Sequence, residues 1–198
     1  MKNLQEPIYG KKVILKPMQI EDVYSMMAWG THEDRLFFDY NFPYMTEDEI
    51  CAWFELKTKR FRRCFSVFNY NKQLVGYIAL RNVKIIRKKS ELGIVFDPNY
   101  LSEGYGTDSL IALLKWYFDT FKFKKMVLSV AAYNYRAIRC YEKVGFKKTK
   151  EYYDEFMNYK INPIEDRNYS QIKHFFRQKG EKIQVLYYKM EISTLPTE

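Results

Sequence analysis

The chain has 198 residues, of which 47% are hydrophobic and 29% are charged. This balance is typical of a globular protein, and the length suits a single domain over residues 1–198 rather than two domains. No apolar run approaches the roughly 20 residues of a membrane-spanning helix, which excludes that class of protein. The first residues lack the apolar segment of a secretion signal, so we expect a cytoplasmic protein.

The net charge is +9, from 33 Lys and Arg against 24 Asp and Glu. Because a basic surface concentrates anions, one interpretation is an anionic partner such as a phosphorylated cofactor or RNA. The other is a generally basic surface, which the spread of Lys and Arg along the whole chain favours. The three cysteines have no CxxC spacing, and the two histidines are not paired at ligand spacing. We therefore expect neither a disulfide framework nor a metal site.

Strands and helices alternate along the chain, which is typical of an α/β fold. The predicted strands span residues 12–16, 63–68, 73–83, 90–96, 126–132, 146–152 and 184–192. The predicted helices span residues 20–29, 47–59 and 107–121, a segment that follows Asn134 and runs through Tyr141, and residues 169–178. A capping box of Thr46 and Glu49 marks the start of the second helix, and Gly145 ends the fourth.

A glycine-flanked turn, Gly104-Tyr105-Gly106, stands between the strand at 90–96 and the longest predicted helix. Glycines let backbone N–H groups approach an anion, and the N-terminus of a helix favours a phosphate. A tight turn from strand to helix uses the same residues. On this motif alone, phosphate binding and a plain turn both remain open.

A second segment, VLSVAAYNYRAIRCYEKVGF, follows at residues 127–146. Together the two segments resemble the GNAT acetyltransferase family, in which a glycine-rich pyrophosphate loop and a long helix precede a strand, an Asn, a short helix and Tyr-x-x-x-Gly-Phe. The matching residues are Gly104-x-Gly106 and Asn134-x-x-Ala137-x-x-x-Tyr141-Glu142-Lys143-x-Gly145-Phe146. The resemblance covers residues 10–155 and 183–192, and is nearest to the branch that acetylates ribosomal-protein N-termini and small amines. It implies a mixed, mostly antiparallel sheet flanked by helices and split to admit CoA.

The resemblance also implies where acetyl-CoA, as co-substrate, would bind. The positions that it assigns to the cofactor are Val95, Phe96, Gly104, Tyr105, Gly106, Thr107 and Asn134. The first two would offer backbone groups to the pantetheine arm, the next four would hold the pyrophosphate, and Asn134 would hold the arm from the next strand. Leu101, Glu103 and Asp108 depart from the family's pattern. A carboxylate of Glu103 or Asp108 that pointed at the phosphates would weaken binding by repulsion between like charges.

Two residues are candidates for the chemistry. A primary amine with a pKa near about 10 is only about 0.1% neutral at pH 7, so a base or a desolvating pocket must help. Glu91 is the candidate base, acting through a water; its alternative is a surface carboxylate paired with Lys88 or Lys89. Tyr141 lies near the CoA sulfur by the resemblance and would protonate the leaving thiolate. A backbone N–H near Val95 would stabilise the oxyanion.

The acceptor side is less well determined. The resemblance places Trp29, Asp39 and Phe42 on the helix and loop that line it, with Asp39 able to pair with a cationic amine; their alternative is plain core packing. A protein N-terminus, a polyamine or other small amine, and an aminoglycoside all remain open as acceptors. An insertion at about residues 154–182, before the last strand, either shapes the acceptor pocket or forms a contact in a homodimer.

An alternative function keeps the fold without the catalysis, as a CoA-sensing or RNA-binding module. The presence of both Asn134 and Tyr141 favours the enzyme over nucleic-acid binding. Cys140 stands beside Tyr141, but no histidine in the motif would activate it as a nucleophile. We therefore interpret Cys140 as a packing residue.

Overall fold

The computed structural model describes residues 6–59 and 61–194. The strands are β1 (Ile8–Tyr9), β2 (Val13–Pro17), β3 (Arg63–Asn69), β4 (Leu74–Lys84), β5 (Lys89–Phe96), β6 (Lys125–Ala131), β7 (Lys147–Glu155), β8 (Phe176–Lys179) and β9 (Lys182–Ile192). The α-helices are α1 (Ile20–Met26), α2 (Glu47–Thr58), α3 (Tyr105–Lys115) and α4 (Tyr135–Lys143). Shorter 3₁₀ turns lie at Arg35–Tyr40, Pro98–Tyr100, Arg167–Tyr169 and Lys173–Phe175, and a π-helical turn at Trp116–Thr120 continues α3. None of these helices combines the length and the apolar character that crossing a membrane requires.

The strands of the described residues form one mixed sheet, in the order β1-β2-β3-β4-β5-β6-β9-β7, with β8 also paired to β9. Every pairing is antiparallel except that between β5 and β6. That parallel ladder joins Lys89–Glu91 only, to residues 125–127 of β6. Beyond Glu91 the ladder ends, so the sheet is split there and one edge of β5 faces the gap. The mixed, mostly antiparallel and split sheet that the sequence predicts is confirmed.

A buried tyrosine closes the base of the split. The Tyr117 hydroxyl accepts a hydrogen bond from Ser90 Oγ at 2.9 Å and donates one to the backbone oxygen of Lys125 at 2.7 Å. These two residues lie on β5 and β6, within the stretch where the strands still pair. Burial raises the pKa of Tyr117 to about 12. One side chain in the π-helical turn that continues α3 therefore ties the two strands together below the point where they separate.

The two faces of the sheet carry separate cores. Side chains of α3 and α4 pack with Ile78 and Leu80 of β4 on one face. Side chains of α1 and α2 pack with Tyr77 and Ala79 of the same strand on the other. Because side chains alternate along a strand, Arg81 belongs to the α1–α2 face with Tyr77 and Ala79. The split thus separates an α3–α4 side from an α1–α2 side.

The sequence predicts most elements to within a few residues of their observed bounds. The Thr46–Glu49 capping box forms as expected at the start of α2. Helix α1 ends at Met26, so the prediction of a helix to residue 29 is wrong. The helix predicted at 169–178 is also wrong. There the chain forms two 3₁₀ turns and then β8, because a turn at Gly180, with a φ of 60°, folds it back onto the edge of β9.

Candidate active site

The split opens into a cavity of about 590 Å³, a volume typical of small-molecule sites. Its wall combines residues of α2, β4, β5, β6, α3 and α4 with the 3₁₀ turn Arg35–Tyr40. The residues predicted at the cofactor all line it: Val95, Phe96, Gly104, Tyr105, Gly106, Thr107 and Asn134. Tyr141 lines it as well. The two separate sequence motifs therefore meet at one cavity.

The glycine turn caps α3. Gly104 has a φ of 83°, a conformation that favours glycine, and stands immediately before the first helical residue. The N–H groups of the first helical turn have no acceptor within the helix, so they are available to an anion. A Cβ added at Gly106 would lie 3.5 Å from Phe96 Cε2 and 3.7 Å from Cys140 Sγ, which are ordinary contacts. Packing within the protein does not require glycine at position 106, whereas close approach of a ligand to the backbone does.

Asp108 does not point at the glycine turn. Its carboxylate accepts hydrogen bonds from the backbone N–H groups of Lys11, Lys12 and Val13, at 3.0, 2.7 and 3.2 Å. The side chain is therefore directed toward the turn between β1 and β2, and it anchors α3 there. Glu103 is exposed and does not line the cavity, and its backbone oxygen accepts a hydrogen bond from Lys12 Nζ. Neither carboxylate lies on the cavity wall, so the repulsion considered from the sequence has no support in the structure.

The open edge of β5 forms the middle of the cavity. Val95 and Phe96 pair with Tyr77 and Gly76 of β4 on one edge, while the ladder to β6 has already ended at Glu91. The free edge offers backbone N–H and C=O groups, to which an extended ligand with amide groups can add as a strand would. The pantetheine arm has such amides, so the geometry fits the part of the cofactor that the resemblance assigns here.

Helix α4 brings Tyr141 to the wall. Asn134 caps the helix, because its Oδ1 accepts a hydrogen bond from the Ala137 N–H at 3.1 Å. Tyr141 is 7% exposed, and its hydroxyl has no hydrogen-bond partner among the described residues. Burial raises the pKa of Tyr141 well above its ordinary value, so the hydroxyl keeps its proton at neutral pH.

Cys140, beside Tyr141, contacts the other helix. Its Sγ lies 3.4 Å from Thr107 Oγ1, across the junction of α3 and α4. Burial raises the pKa of this thiol, which keeps it protonated and a poor nucleophile. This agrees with the packing role, although Cys140 also lines the cavity.

Glu91 stands one step back from the cavity. It is absent from the wall, and its carboxylate accepts hydrogen bonds from Arg81 Nη2 at 2.9 Å and from Asn82 Nδ2 at 3.0 Å. From the sequence, an ion pair of Glu91 with Lys88 or Lys89 is the alternative to a catalytic role. The observed ionic partner is instead Arg81 of β4. Arg81 lies between Glu91 and the cavity.

The three residues predicted at the acceptor do not line the cavity either. Trp29 packs against Phe42 and Tyr77, with ring centroids 5.7 and 6.3 Å apart, and donates its indole N–H to the backbone oxygen of Leu74. Asp39 is exposed on the 3₁₀ turn. Trp29 and Phe42 therefore support Tyr77 from behind, as core residues, while Tyr77 itself forms the wall.

The comparisons with known proteins agree with this geometry. A model of the acetyltransferase (GNAT) domain matches residues 12–147. The chain belongs to the GNAT acetyltransferase family. As a GNAT acetyltransferase, it uses acetyl-CoA as its co-substrate. Among residues 6–59 and 61–194, no three His, Cys, Asp or Glu side chains lie together as metal ligands would.

Individual relatives of this GNAT acetyltransferase differ in the amine that their names give. The chain is 28% identical over 118 residues to spermidine N(1)-acetyltransferase of Vibrio cholerae, a match that covers 58% of the chain and 66% of that enzyme. It is 27% identical over 157 residues to N-alpha-acetyltransferase of Saccharolobus solfataricus, covering 74% of the chain and 87% of that enzyme. The solved structure of Vibrio cholerae spermidine N-acetyltransferase in complex with CoA and spermine superimposes with a TM-score of 0.67 at 19% identity, over 92% of this chain and 96% of that one.

Several wall residues of this GNAT acetyltransferase were missed from its sequence. They are His32, Lys57, Tyr77, Arg81 and Arg136. Tyr40 reaches the side chains of Asn134 and Tyr133, and burial lowers the pKa of His32 so that it is neutral at neutral pH. Alternation along β4 relates Tyr77 to Arg81, but nothing in the sequence says that this face meets the split.

Proposed function

We propose that this enzyme transfers the acetyl group of acetyl-CoA to a primary amine by direct attack, with both substrates bound at once. The observation that carries this proposal is a cavity that runs from the glycine turn, on the α3–α4 side, to Tyr77 and Arg81 on the other side of the split. Two substrates that enter from opposite faces meet beside Tyr141. Burial raises the pKa of Cys140 and keeps it as a thiol, which disfavours a covalent intermediate on that residue.

On the cofactor side, the first-turn N–H groups of α3 hold the pyrophosphate and the open edge of β5 holds the pantetheine arm. Arg139 and Lys143 of α4 also line the cavity and add positive charge on this side. Asn134 fixes the start of α4 and thereby the position of Tyr141. A backbone N–H near Val95 faces the carbonyl oxygen of the thioester.

Tyr141 acts as the general acid, donating its hydroxyl proton to the thiolate as it leaves. The raised pKa keeps this proton available over the whole neutral range. We keep Glu91 as the candidate base, acting through water. Lys57 and Arg81 also promote deprotonation of the acceptor amine. Their positive charge disfavours a nearby ammonium ion and shifts the acceptor toward its reactive neutral form.

The insertion supports the acceptor side of the cavity. Asn158 Nδ2 donates to the backbone oxygen of Arg35 at 2.7 Å, and the Tyr169 hydroxyl donates to Asp34 Oδ1 at 3.0 Å. Phe156 and Phe176 share a core with Leu36 of the same 3₁₀ turn. These contacts favour a role in shaping the pocket through the turn Arg35–Tyr40. A homodimer contact by this segment, one domain over residues 1–198 and a cytoplasmic location remain predictions.

The test is thiol release from acetyl-CoA with a panel of primary amines and N-terminal peptides. We expect one acceptor class to stimulate turnover, and Tyr141→Phe to lower kcat about 100-fold, the lower range for loss of a general acid. Tyr135→Phe removes an exposed hydroxyl from the same helix and should leave kcat unchanged. CoA affinity, measured by calorimetry, should be equal in all three proteins.

Two results would count against the proposal. A protein that does not bind CoA contradicts the assignment of the cavity. A protein that binds CoA but acetylates no amine supports the alternative of a CoA-sensing or RNA-binding module, which RNA binding with a steep dependence on salt would then identify.

A further inference from the structure

At the acceptor end of the cavity, no acidic side chain of the described residues lies on the wall. Among the described residues that line the cavity, none is Asp or Glu, whereas Lys57, Arg81, Arg136, Arg139 and Lys143 are cationic. A pocket for a polyamine or an aminoglycoside needs carboxylates to pair with several ammonium groups. The wall of this cavity is positively charged, whereas such acceptors need a negatively charged one.

The positive charge divides between the two sides of the split. Arg139 and Lys143 lie on α4. In the same helix, Cys140 contacts Thr107, which belongs to the first turn of α3 and directly follows the glycine turn. Lys57 and Arg81 belong to the α1–α2 face, where Tyr77 and Ala79 pack. The phosphates of CoA account for the cations on the first side. They do not account for those on the second, because the glycine turn lies on the opposite face of the sheet.

Within the described part of the chain, Lys57 is a cation without a counter-ion. Its Nζ lies 4.8 Å from the ring centre of Trp53 and 5.5 Å from that of Tyr77, and no ion pair engages it among the described residues. Burial lowers the pKa of Lys57, and the positive charge of Arg81 also lowers it. An anion in the cavity next to Lys57 would relieve both effects.

Arg81 is only partly neutralised. Its Nη2 pairs with Glu91, but its Nε is buried and has no hydrogen-bond acceptor among the described residues. The side chain is 42% exposed. A Cβ at Gly93 would lie 3.6 Å from Arg81 Cζ, so the guanidinium lies over the strand that forms the centre of the cavity. Because Nε is buried, a ligand carboxylate would meet the N–H groups of the two terminal nitrogens, and a guanidinium can bind a carboxylate through two such groups.

We propose that the acceptor amine carries an anionic group, such as a carboxylate, close to its amino group, and that Lys57 and Arg81 bind that group. This inference rests on the proposed function, because it assumes that an amine is acetylated in this cavity. An amino acid, or a short peptide with a carboxylate near its N-terminus, has the required chemistry. Spermidine does not, although a relative is named for it.

The test uses matched acceptors that differ only in charge. Glycine, methionine and phenylalanine are each compared with their amides, and spermidine is included. For the best pair we expect kcat/KM to be about tenfold higher for the acid, the effect of one hydrogen bond to a charged group. The amide has the lower amine pKa and hence more neutral amine, so protonation of the amine cannot produce this preference.

Lys57→Met and Arg81→Gln should each lower the ratio of acid to amide kcat/KM about fivefold or more, with the KM of acetyl-CoA unchanged. The matched controls are Lys59→Met and Arg87→Gln, which change exposed cations outside the cavity. Two outcomes overturn the inference. One is a wild-type enzyme that prefers an amide or spermidine, and the other is a ratio of acid to amide kcat/KM that is the same in both variants as in the wild type.

A binding experiment separates this inference from the proposed function. The same acids, amides and spermidine are titrated by calorimetry into the protein saturated with CoA. One outcome is that no amine is turned over, but the wild-type protein binds the acid more tightly than the amide and Lys57→Met loses this preference. The anion site is then upheld, while the absent turnover refutes the acetyltransferase mechanism for these amines. Equal or tighter binding of the amide or of spermidine, or no binding of any acid, overturns the anion site itself.

Discussion

The two sides of the cavity are built differently. The proposed cofactor side presents mainly backbone groups, at the turn before α3 and along the edge of β5, and these come from one stretch of chain, residues 95–107. The proposed acceptor side presents side chains from α2, β4 and the turn Arg35–Tyr40, which are far apart in sequence. Backbone geometry can bind the same cofactor in many relatives, whereas a pocket made of side chains differs with each substitution. This difference explains why the family could be predicted and the acceptor could not.

The largest effect is expected at the anchor of the cofactor side. Asp108→Ala leaves three backbone N–H groups without their acceptor, which should cost about 3 kcal/mol in the free energy of unfolding. Urea denaturation measures the loss. Asp119→Ala, at an exposed position just beyond α3, is the control. Unchanged stability together with tighter acetyl-CoA binding would mean that Asp108 faces the phosphates after all.

The next effect is expected where the two sides meet. Tyr117→Phe removes both hydrogen bonds at the base of the split, at a cost of about 2 kcal/mol. Tyr9→Phe, at an exposed tyrosine, should cost almost nothing. Urea denaturation of both variants at pH 8 measures the difference.

The same tyrosine predicts a dependence on pH. Its pKa is raised from 10.0 to about 12 on folding, so its contribution is fully present below pH 10 and is lost as the pH rises through the window between these values. The stability of the wild-type protein should therefore fall more steeply between pH 10 and pH 12 than that of Tyr117→Phe. Parallel falls would show that the Tyr117 hydroxyl does not titrate on unfolding.

A smaller effect distinguishes the role of one glycine from that of another. Gly106→Ala should raise the KM of acetyl-CoA about tenfold without lowering the melting temperature, because the new Cβ makes only ordinary contacts with the protein but obstructs the proposed approach of the cofactor to the backbone. Gly10→Ala makes the same chemical change where the Cβ would clash with the Asp108 carboxylate, so it should lower the melting temperature. A Gly106→Ala protein with reduced stability and normal KM would contradict the assignment of the turn.

The smallest effect tests the support of the acceptor side. Tyr169→Phe removes the hydrogen bond to Asp34 and loosens the turn that presents Tyr40. We expect the KM of the amine to rise about threefold, within the range for one exposed hydrogen bond, with the KM of acetyl-CoA unchanged. Steady-state kinetics with each substrate varied in turn measures both. A rise in the KM of acetyl-CoA alone would place the insertion on the cofactor side.

The candidate cofactor residues could be named from the sequence because each depends on a short segment, and all of them line the cavity. Gly104 and Gly106 flank the start of a helix, Asn134 caps another, and Tyr141 lies two turns along it. Such local geometry is encoded in the spacing of the residues. Trp29 and Phe42 show the limit: an aromatic residue near a site has the same sequence pattern whether it forms the wall or supports it.

The sequence by itself determined the order of most strands and helices, the split sheet implied by the family, and a set of candidate cofactor residues that line one cavity. Tertiary structure alone decided that Asp108 points away from the glycine turn, that Glu91 pairs with Arg81, and that residues 176–179 form a strand. It also decided the charge of the cavity wall on the α1–α2 side, to which Lys57 and Arg81 come from different elements. The physical reason is that hydrogen bonds along the chain follow local spacing, whereas the neighbours of a side chain depend on how distant elements pack.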